Sequence, residues 1–340
     1  PCLIITVALA AFAAAAWGQD REEPNLSDEH AQLILDRFKA QLLAEDDPTD
    51  EASYAYRRRL IETMAEDGRW PELDYDSHDN AAWDPWQHTR WLNGLALGVA
   101  VNTKDADQAA ETVVKGLRYY IQKKPTSRNW WFKEIGVPMS LARVMVLMGD
   151  RVPDDVAKQT HDLIRHCREG RASTFTGQNL LWRMQHAMLL AALERDSAWL
   201  RLASQRIADE VRVATAEGIQ PDYSFHQHGH MLQSHAYGAS FASDNVAQAY
   251  LLRGTPGAYS QEKLTILADY LLHGQQWMMR GPHQVLSARG RGIARPHGDR
   301  PVTVGPYAKA AQRLAELLPA RGEELGAFAH RQTIGPKTAI

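Results

Sequence analysis

The sequence predicts an all-α protein built of helical hairpins. Apolar residues recur at helical spacing in about a dozen segments of the 340-residue chain, and glycines, prolines and acidic pairs separate those segments. No segment alternates apolar and polar residues over a sustained length, so no sheet is expected. Helices that pair along the chain around an axis favour an α/α toroid, and an α-solenoid is the alternative.

The helix boundaries follow from local start and stop signals. Ser27, followed by two acidic residues, predicts the first start, and the segment Asp46-Asp47-Pro48 predicts its end. Pro153 is expected in the first turn of a later helix, and Gly149 and Gly254 mark helix ends. The predicted helices cover about residues 27–45, 51–66, 85–101, 105–122, 133–148, 153–168, 177–194, 197–217, 243–252, 261–280, 306–318 and 322–329.

Two long connections lack a helical pattern. Residues 67–84 contain Trp70, Tyr75 and Trp83, and loops of this length in a compact domain are often functional. Glycines in residues 281–301 argue against a helix there, so the arginines of this segment are expected on a loop suited to carboxylate or sulfate, with a solvated charge run as the alternative. These arginines are Arg289, Arg291, Arg295 and Arg300.

The two ends of the chain suggest a longer reading frame. Residues 1–19 form an apolar run with small residues before a polar start, which is typical of part of a secretory signal peptide, with an N-terminal anchor as the alternative. We therefore expect a secreted or periplasmic protein, no membrane association after removal of the signal, and a single domain over 20–340 that is truncated at its C-terminal end. The net charge of −3 and the pI near 6.6 give no reason to expect a nucleic-acid partner.

A cluster of histidines interrupts the helical pattern between Glu217 and Gly238. His226, His228 and His230 alternate along the chain, and imidazoles at this spacing, near Asp222, could hold zinc. Hydrolases with such a motif usually present it from a strand of an α/β barrel, and no strand is predicted here. A second interpretation is that these are ordinary loop histidines. A third, which is preferred, is that one histidine takes part in proton or substrate chemistry.

Two further motifs are suited to recognition of an acidic sugar chain. In Asn129-Trp130-Trp131 the adjacent indoles cannot share one helix face, so at least one is expected outside the core, where flat rings suit sugar faces. If Thr176 caps the next helix, Asn179 lies in its first turn, where the helix dipole favours an anion. Core packing for the indoles and simple capping for Asn179 are the alternatives.

Taken together, these motifs resemble the helical domain of polysaccharide lyase family 8, which includes chondroitin AC, hyaluronate and xanthan lyases. The resemblance rests on their order over about 170 residues and is closest to the chondroitin AC lyases. The motifs are Asn129-Trp130-Trp131 with Glu134-Ile135, TGQN at 176–179, DYSFHQHG at 222–229 with Tyr237-Gly238, RGTP at 253–256 and GRGIARP at 290–296.

The resemblance implies an incomplete α/α toroid that cleaves acidic polysaccharide by β-elimination, with no cofactor and no metal, in a protein expected to be a monomer. The matching catalytic positions are Asn179, His228, Tyr237, Arg291 and Arg295, and the substrate-binding positions are Asn129, Trp130, Trp131 and Arg289. Gln178 departs from the family, which often has Ala there. The family's C-terminal β-domains, with a Glu that they supply to the cleft, do not appear in these residues.

The residue types suit this chemistry. Asn179 and His228 could donate to the charge that gathers on a uronic carboxylate, and Tyr237 could act as base and then as acid, although the sequence leaves open whether Tyr237 or His228 is the base. One alternative function is a toroid glycoside hydrolase, for which Asp222 and Glu134 are the carboxylate candidates. The other is a glycan-binding protein without activity.

Overall fold

A computed structural model describes residues 26–169, 175–281, 283–294 and 305–333 of the chain. These residues contain twelve α-helices, which confirms the all-α class. The helices are α1 (Asp28–Glu45), α2 (Glu51–Thr63), α3 (Asp84–Ala100), α4 (Ala106–Lys123), α5 (Val137–Met148), α6 (Asp154–Glu169), α7 (Gly177–Leu193), α8 (Ser197–Glu210), α9 (Ala236–Leu252), α10 (Gln261–Asp269), α11 (Gly305–Leu317) and α12 (Gly322–Thr333).

Side-chain caps begin several of the helices. Ser27 accepts from the backbone N–H of His30, and His30 in turn accepts from the backbone N–H of Ser27, which closes a capping box at α1. Asp50 and Asp196 cap α2 and α8 with their side chains, which accept from the backbone N–H groups of Ser53 and Trp199. These caps satisfy N–H groups that have no partner inside a helix, so the sequence fixes these starts locally.

The helices form two layers of antiparallel neighbours. Within the hairpins α3 packs on α4, α5 on α6, α7 on α8 and α11 on α12. Contacts between α3 and α5, α5 and α7, α7 and α9, and α9 and α11 join one helix of each hairpin to the next. This arrangement is that of an α/α toroid, as the sequence predicted.

Helix α7 is surrounded by other helices. It contacts α1, α5, α6, α8 and α9, and nearly all of its residues are buried. Helix α4 instead buries a single stripe, which includes Ala109, Val113, Leu117 and Tyr120. Helix α7 must therefore place any polar residue it carries either at its ends or against another polar group.

Two small antiparallel sheets were not predicted from the sequence. Strand β1 (Gly218–Ile219) pairs with β2 (Phe225–His226), and β3 (Met279–Arg280) pairs with β4 (His283–Gln284). With two residues in each strand, the segments are too short to show an alternating pattern.

The helix boundaries around β1 and β2 also differ from the prediction. Helix α8 ends at Glu210 rather than near residue 217, and α9 begins at Ala236 rather than near residue 243. A bridge between Val213 and Ile219 pulls the chain out of the helix, and the backbone N–H of His235 donates to the carbonyl of Ala288 just before α9. The first contact is a local bridge, and the second joins distant parts of the chain.

The two long connections also differ from the expectation. Trp70, Tyr75 and Trp83 are all buried, so the aromatic residues of 67–84 pack the core rather than form an exposed functional loop. Residues Leu286–Ala294 form short 3₁₀ turns interrupted at Gly290, although no helix was expected there. Gly290 has φ of +54°, and a Cβ there would collide with the carbonyl oxygen of Leu232.

Candidate active site

The centre of the site is a hydrogen-bonded pair, His228 and Tyr237. The His228 Nε2 and Tyr237 Oη atoms are 3.0 Å apart. The two rings are nearly perpendicular, with centroids 5.0 Å apart. His228 is exposed and Tyr237 is half-buried in the first turn of α9. Both groups can exchange protons, and both are accessible from solvent at one side.

The backbone at His228 adopts a conformation that side chains other than Gly rarely take. His228 has φ of +60°, and the next residue, Gly229, has φ of +78°. Left-handed conformation at a residue with a Cβ costs free energy and persists only where the surrounding structure holds it. The loop after β2 therefore stores strain at the residue that contacts Tyr237.

The side chain of Gln227 ties this loop to the start of α7. Its Oε1 atom accepts from the backbone N–H of Gln178 at 3.0 Å, and Gln227 is buried. Gly177 has φ of +57°, and a Cβ there would collide with Gln227 Oε1. The backbone N–H of Gly177 donates to the Glu210 carboxylate. Burial raises the pKa of this carboxyl, and the hydrogen bond from Gly177 partly offsets the rise. Glycine at 177 allows the helix start and the loop to approach closely.

Asn179 lies in the first turn of α7, as predicted. Its side chain is only 6% exposed, and its Oδ1 atom has no hydrogen-bond partner within the described ranges. A buried amide oxygen of this kind is rare, because desolvation without a partner costs about 1–3 kcal/mol. Thr176 occupies the N-cap position but uses its hydroxyl to donate to Glu217 at 2.6 Å instead of capping the helix.

A row of aromatic rings leads to the His228–Tyr237 pair. The Tyr237 ring lies 5.8 Å from Trp182, which lies 6.1 Å from Trp131, which in turn lies 5.4 Å from Trp86. Trp182 is held by a hydrogen bond of 2.9 Å from its Nε1 to Asp244. The predicted aromatic patch and the predicted catalytic pair are thus joined by continuous ring contacts.

Trp130 is exposed beside this row. Its side chain is 44% exposed, and its ring lies 5.1 Å from that of Phe175. Behind Phe175, the Arg183 guanidinium lies 5.0 Å from the ring and pairs with Glu134 at 3.1 Å. One face of the Trp130 indole is therefore supported while the residue remains accessible.

Asn129 stabilises the turn that carries Trp130 and Trp131. Its Oδ1 atom accepts from the backbone N–H of Trp131 at 3.0 Å, and its Nδ2 donates to the carbonyl of Asn80 at 2.7 Å. These bonds fix the turn that carries both indoles.

The arginine segment is only partly described. Arg289 is buried, at 6% exposure, in the 3₁₀ turns of Leu286–Ala294. Burial lowers the pKa of the nearby His235 and the Arg289 charge lowers it further, whereas a 2.7 Å hydrogen bond with Gln284 raises it. The side chain of Arg291 and the whole of Arg295 lie outside the described residues.

The remaining histidines and carboxylates do not converge on one point. The His226 and His230 rings are 6.2 Å apart and perpendicular, while His228 faces Tyr237. Across the described residues, no group of three or more His, Cys, Asp or Glu side chains is placed to hold a metal ion. Asp222 accepts from the backbone N–H of Ser224 at 2.9 Å, and hydrogen bonds from Ser224 lower the pKa of its carboxyl. Glu134 is paired with Arg183, so the two carboxylates proposed for a hydrolase have separate structural partners.

Three residues at the site were missed from the sequence. Trp182 lies one helical turn after Asn179, a spacing that could have been noticed. Asp244 lies two turns after Tyr237 and accepts from both Trp182 and, at 2.6 Å, Gln178. Desolvation raises the pKa of Asp244 to about 6, against the lowering effect of those two hydrogen bonds. Glu217 carries no sequence signal beyond its position at the edge of the histidine cluster.

Comparisons with known proteins point to one family. The family model described as polysaccharide lyase family 8, N terminal alpha-helical domain, matches residues 27–321. Chondroitinase-AC of Pedobacter heparinus is 32% identical over 274 residues, which are 78% of this chain and 38% of that protein. Hyaluronate lyase of Staphylococcus aureus is 22% identical over 291 residues, which are 81% of this chain and 35% of that protein. The chain thus spans less than half of the length of these relatives.

Solved structures agree with the predicted fold. A chondroitinase AC lyase studied as enzyme–oligosaccharide complexes superposes with a TM-score of 0.80 and 25% identity over 91% of this chain and 45% of that chain. A Paenibacillus xanthan lyase superposes with a TM-score of 0.71 and 19% identity over 92% of this chain and 34% of that chain. In the described residues of the present chain, no helix combines the length and the apolar character needed to cross a bilayer. From its sequence and its toroid fold, the chain belongs to polysaccharide lyase family 8, whose N-terminal α-helical domain it contains.

Proposed function

We propose that the protein cleaves a polysaccharide containing uronic acid, of the chondroitin or hyaluronan type, by β-elimination. The observation that carries the proposal is the 3.0 Å contact between His228 and Tyr237 beside the helix start that holds Asn179. Family membership and the names of the relatives support the same reaction class.

In the proposed step, the C5 proton of the uronic acid leaves as the C4–O bond breaks. The electrons of the C5–H bond form the C4=C5 double bond, and the 4-linked oxygen departs with a proton. Tyr237 takes the C5 proton as the phenolate, and the phenol so formed gives that proton to the leaving oxygen. A phenol keeps its proton at neutral pH in water, so His228 Nε2–H, donating to the Tyr237 oxygen, assists by stabilising the phenolate.

The main barrier is the negative charge that gathers on the uronic carboxylate. Asn179 lies in the first turn of α7, where its amide can donate and the helix dipole favours an anion. One such preorganised donor is typically worth about 3–4 kcal/mol in the transition state. The buried position of Asn179 fits this role, because its interactions are strengthened where water is excluded.

Recognition of the sugar chain is assigned to the aromatic row and the arginines. Trp130 and Trp131 offer flat surfaces for sugar rings, and Asn129 holds the turn that carries them. Arg289, Arg291 and Arg295 are proposed to bind carboxylate or sulfate groups. We further propose that the protein acts as a monomer outside the cytoplasm, after removal of a signal peptide that includes residues 1–19, and that it uses no metal or cofactor.

The test is a product assay on the full-length protein. Hyaluronan, chondroitin sulfates and xanthan are incubated with it separately, and the ultraviolet absorbance of the unsaturated uronide is followed. We expect the absorbance to rise with at least one of these glycans. A saturated uronic end would indicate a hydrolase, and binding without turnover would indicate a glycan-binding protein, so either result would overturn the proposal.

A further inference from the structure

The Glu217 carboxylate joins two parts of the site that are far apart in sequence. Its Oε1 atom accepts from the backbone N–H of Gly229 at 2.8 Å. Its Oε2 atom accepts from the hydroxyl of Thr176 at 2.6 Å and from the Nε2 of Gln227. Gly229 directly follows His228, and Thr176 directly precedes α7. One carboxylate therefore links the strained loop to the helix start that carries Asn179.

These bonds fall where the loop needs support. The positive φ values at His228 and Gly229 are unfavourable for an unsupported chain, most of all at His228, which has a Cβ. The Gly229 N–H bond holds the peptide immediately after His228, and the Gln227 bond holds the side chain immediately before it. An ionised acceptor makes such hydrogen bonds roughly twice as strong as a neutral one does.

We propose that Glu217 is a positioning residue that holds the His228 imidazole against Tyr237 and in register with Asn179. The proposal rests on the function proposed above, and it assigns Glu217 no contact with the substrate. Without the carboxylate, the loop relaxes from the left-handed conformation and the imidazole leaves the Tyr237 hydroxyl.

The variant that tests the proposal is Glu217→Gln. A carboxylate accepts at both oxygens, whereas an amide has one accepting oxygen and one donating NH₂. If the oxygen of the new Gln side chain faces Gly229, the NH₂ of that side chain meets the NH₂ of Gln227. In the opposite orientation, the new NH₂ meets the backbone N–H of Gly229. Either orientation sets two donors against each other while keeping the size of the side chain. Asp209→Asn removes an exposed carboxylate at the end of α8 and serves as the control for charge alone.

The kinetic test is a double-mutant cycle in the full-length protein. Glu217→Gln is expected to lower kcat by roughly ten- to a hundred-fold, with KM changed by less than about threefold, because misplacement of a catalytic group affects the transition state most. In a His228→Ala background the same change should have almost no effect, since the group that it positions is gone. Equal losses in both backgrounds, or no loss in the wild-type background, would overturn the proposal.

A crystal structure of the Glu217→Gln variant gives a readout independent of activity. We expect a His228 φ outside the left-handed region and a longer distance between His228 Nε2 and Tyr237 Oη than 3.0 Å. An unchanged loop would refute the positioning role. If the unsubstituted protein forms no unsaturated product, the proposed reaction fails, and the crystal structure still decides whether Glu217 holds the loop.

Discussion

Within the described residues, two histidine–tyrosine pairs have almost the same hydrogen bond and opposite surroundings. Tyr75 Oη and His88 Nδ1 are 2.8 Å apart, and His228 Nε2 and Tyr237 Oη are 3.0 Å apart. Both pairs meet with steeply inclined rings, at 71° and 85°. The first lies in the core between α3 and α4, and the second joins the loop before α9 to the first turn of that helix.

The buried pair is fully satisfied by fixed partners. His88 is 0% exposed and bonds through Nε2 to the carbonyl of Gly116 at 3.0 Å, so Nε2 carries the proton and Nδ1 accepts from Tyr75. The backbone N–H of Trp70 donates to the Tyr75 oxygen at 3.0 Å. Burial lowers the pKa of His88 to about 3 and raises that of Tyr75. Both groups are held in their neutral forms at ordinary pH.

The pair at the loop differs in access and in backbone. His228 is exposed and has a positive φ. Its two neighbours are held from other segments, Gly229 by the Glu217 carboxylate and Gln227 by the backbone N–H of Gln178. A histidine–tyrosine hydrogen bond is therefore not in itself a sign of a functional site. The loop pair differs from the buried pair in solvent access, in the strained conformation at His228 and in the hydrogen bonds that hold its loop, and these are the features expected of a pair that acts on a substrate.

The largest expected difference between the pairs is in catalysis. Tyr237→Phe in the full-length protein should lower formation of unsaturated uronide by about 10²–10⁴-fold, because it removes the group that takes and returns the proton. Tyr75→Phe should leave kcat near the wild-type value and lower the free energy of unfolding by about 1–3 kcal/mol, since it leaves a buried N–H and a ring nitrogen without partners. Absorbance assays and denaturant titrations of both variants measure these effects.

The two phenylalanine variants are matched controls for each other. Each removes one hydroxyl from a histidine–tyrosine pair and changes the ring little. Near-normal activity of Tyr237→Phe would remove Tyr237 from the mechanism. A comparable loss of activity in Tyr75→Phe would show that the buried pair supports the site and would break the distinction drawn between them.

Most of the fold could be predicted because apolar periodicity determines which face a helix buries. Helix α4 shows this at Ala109, Val113 and Leu117, which are buried as their spacing requires. One group of failures lies between α8 and α9, where a β-bridge and a long-range hydrogen bond rather than helical periodicity decide the structure. The hydrogen bond from His235 to Ala288 crosses more than fifty residues, and no local pattern encodes it.

The same limit applies to the site. Asn179, His228 and Tyr237 could be identified from motif order, and the structure brings His228 and Tyr237 into contact. Their supports could not be identified, since Glu217 and Asp244 gain a role only when the chain folds back on itself. The side chains of Arg291 and Arg295 lie outside the described residues, so their assignment stays a prediction.

The next expected effect is a pH dependence of stability caused by the buried pair. The pKa of His88 is about 3 in the folded protein and ~6.5 in the unfolded chain. Between these two pH values, only the unfolded chain binds a proton at this residue. The stabilising effect is present above ~6.5 and is lost as pH falls towards 3. His88→Gln should therefore flatten the slope of unfolding free energy between pH 5.5 and 4.5 by roughly 1.4 kcal/mol per pH unit.

Two variants make this measurement specific. Burial also lowers the pKa of His186 to about 3, with a smaller contribution from the Arg183 charge, so His186→Gln should flatten the slope by a similar amount. Tyr75→Phe removes the hydrogen bond to His88 but keeps the buried ring, and its slope should match that of the wild type. A wild-type slope in His88→Gln would show that the folded protein admits the proton at this site.

The smallest expected effect concerns Trp130, the exposed indole beside the aromatic row. Trp130→Ala should raise KM by about tenfold, or roughly 1.4 kcal/mol, with little change in kcat, because the indole binds the sugar chain away from the reacting carbon. Trp277 is the matched control: it is 77% exposed, and its ring contacts no other ring within the described part of the chain. Trp277→Ala should leave KM within about twofold. An equal rise in both variants would mean that exposure alone, rather than a position beside the aromatic row, determines which indoles bind the substrate.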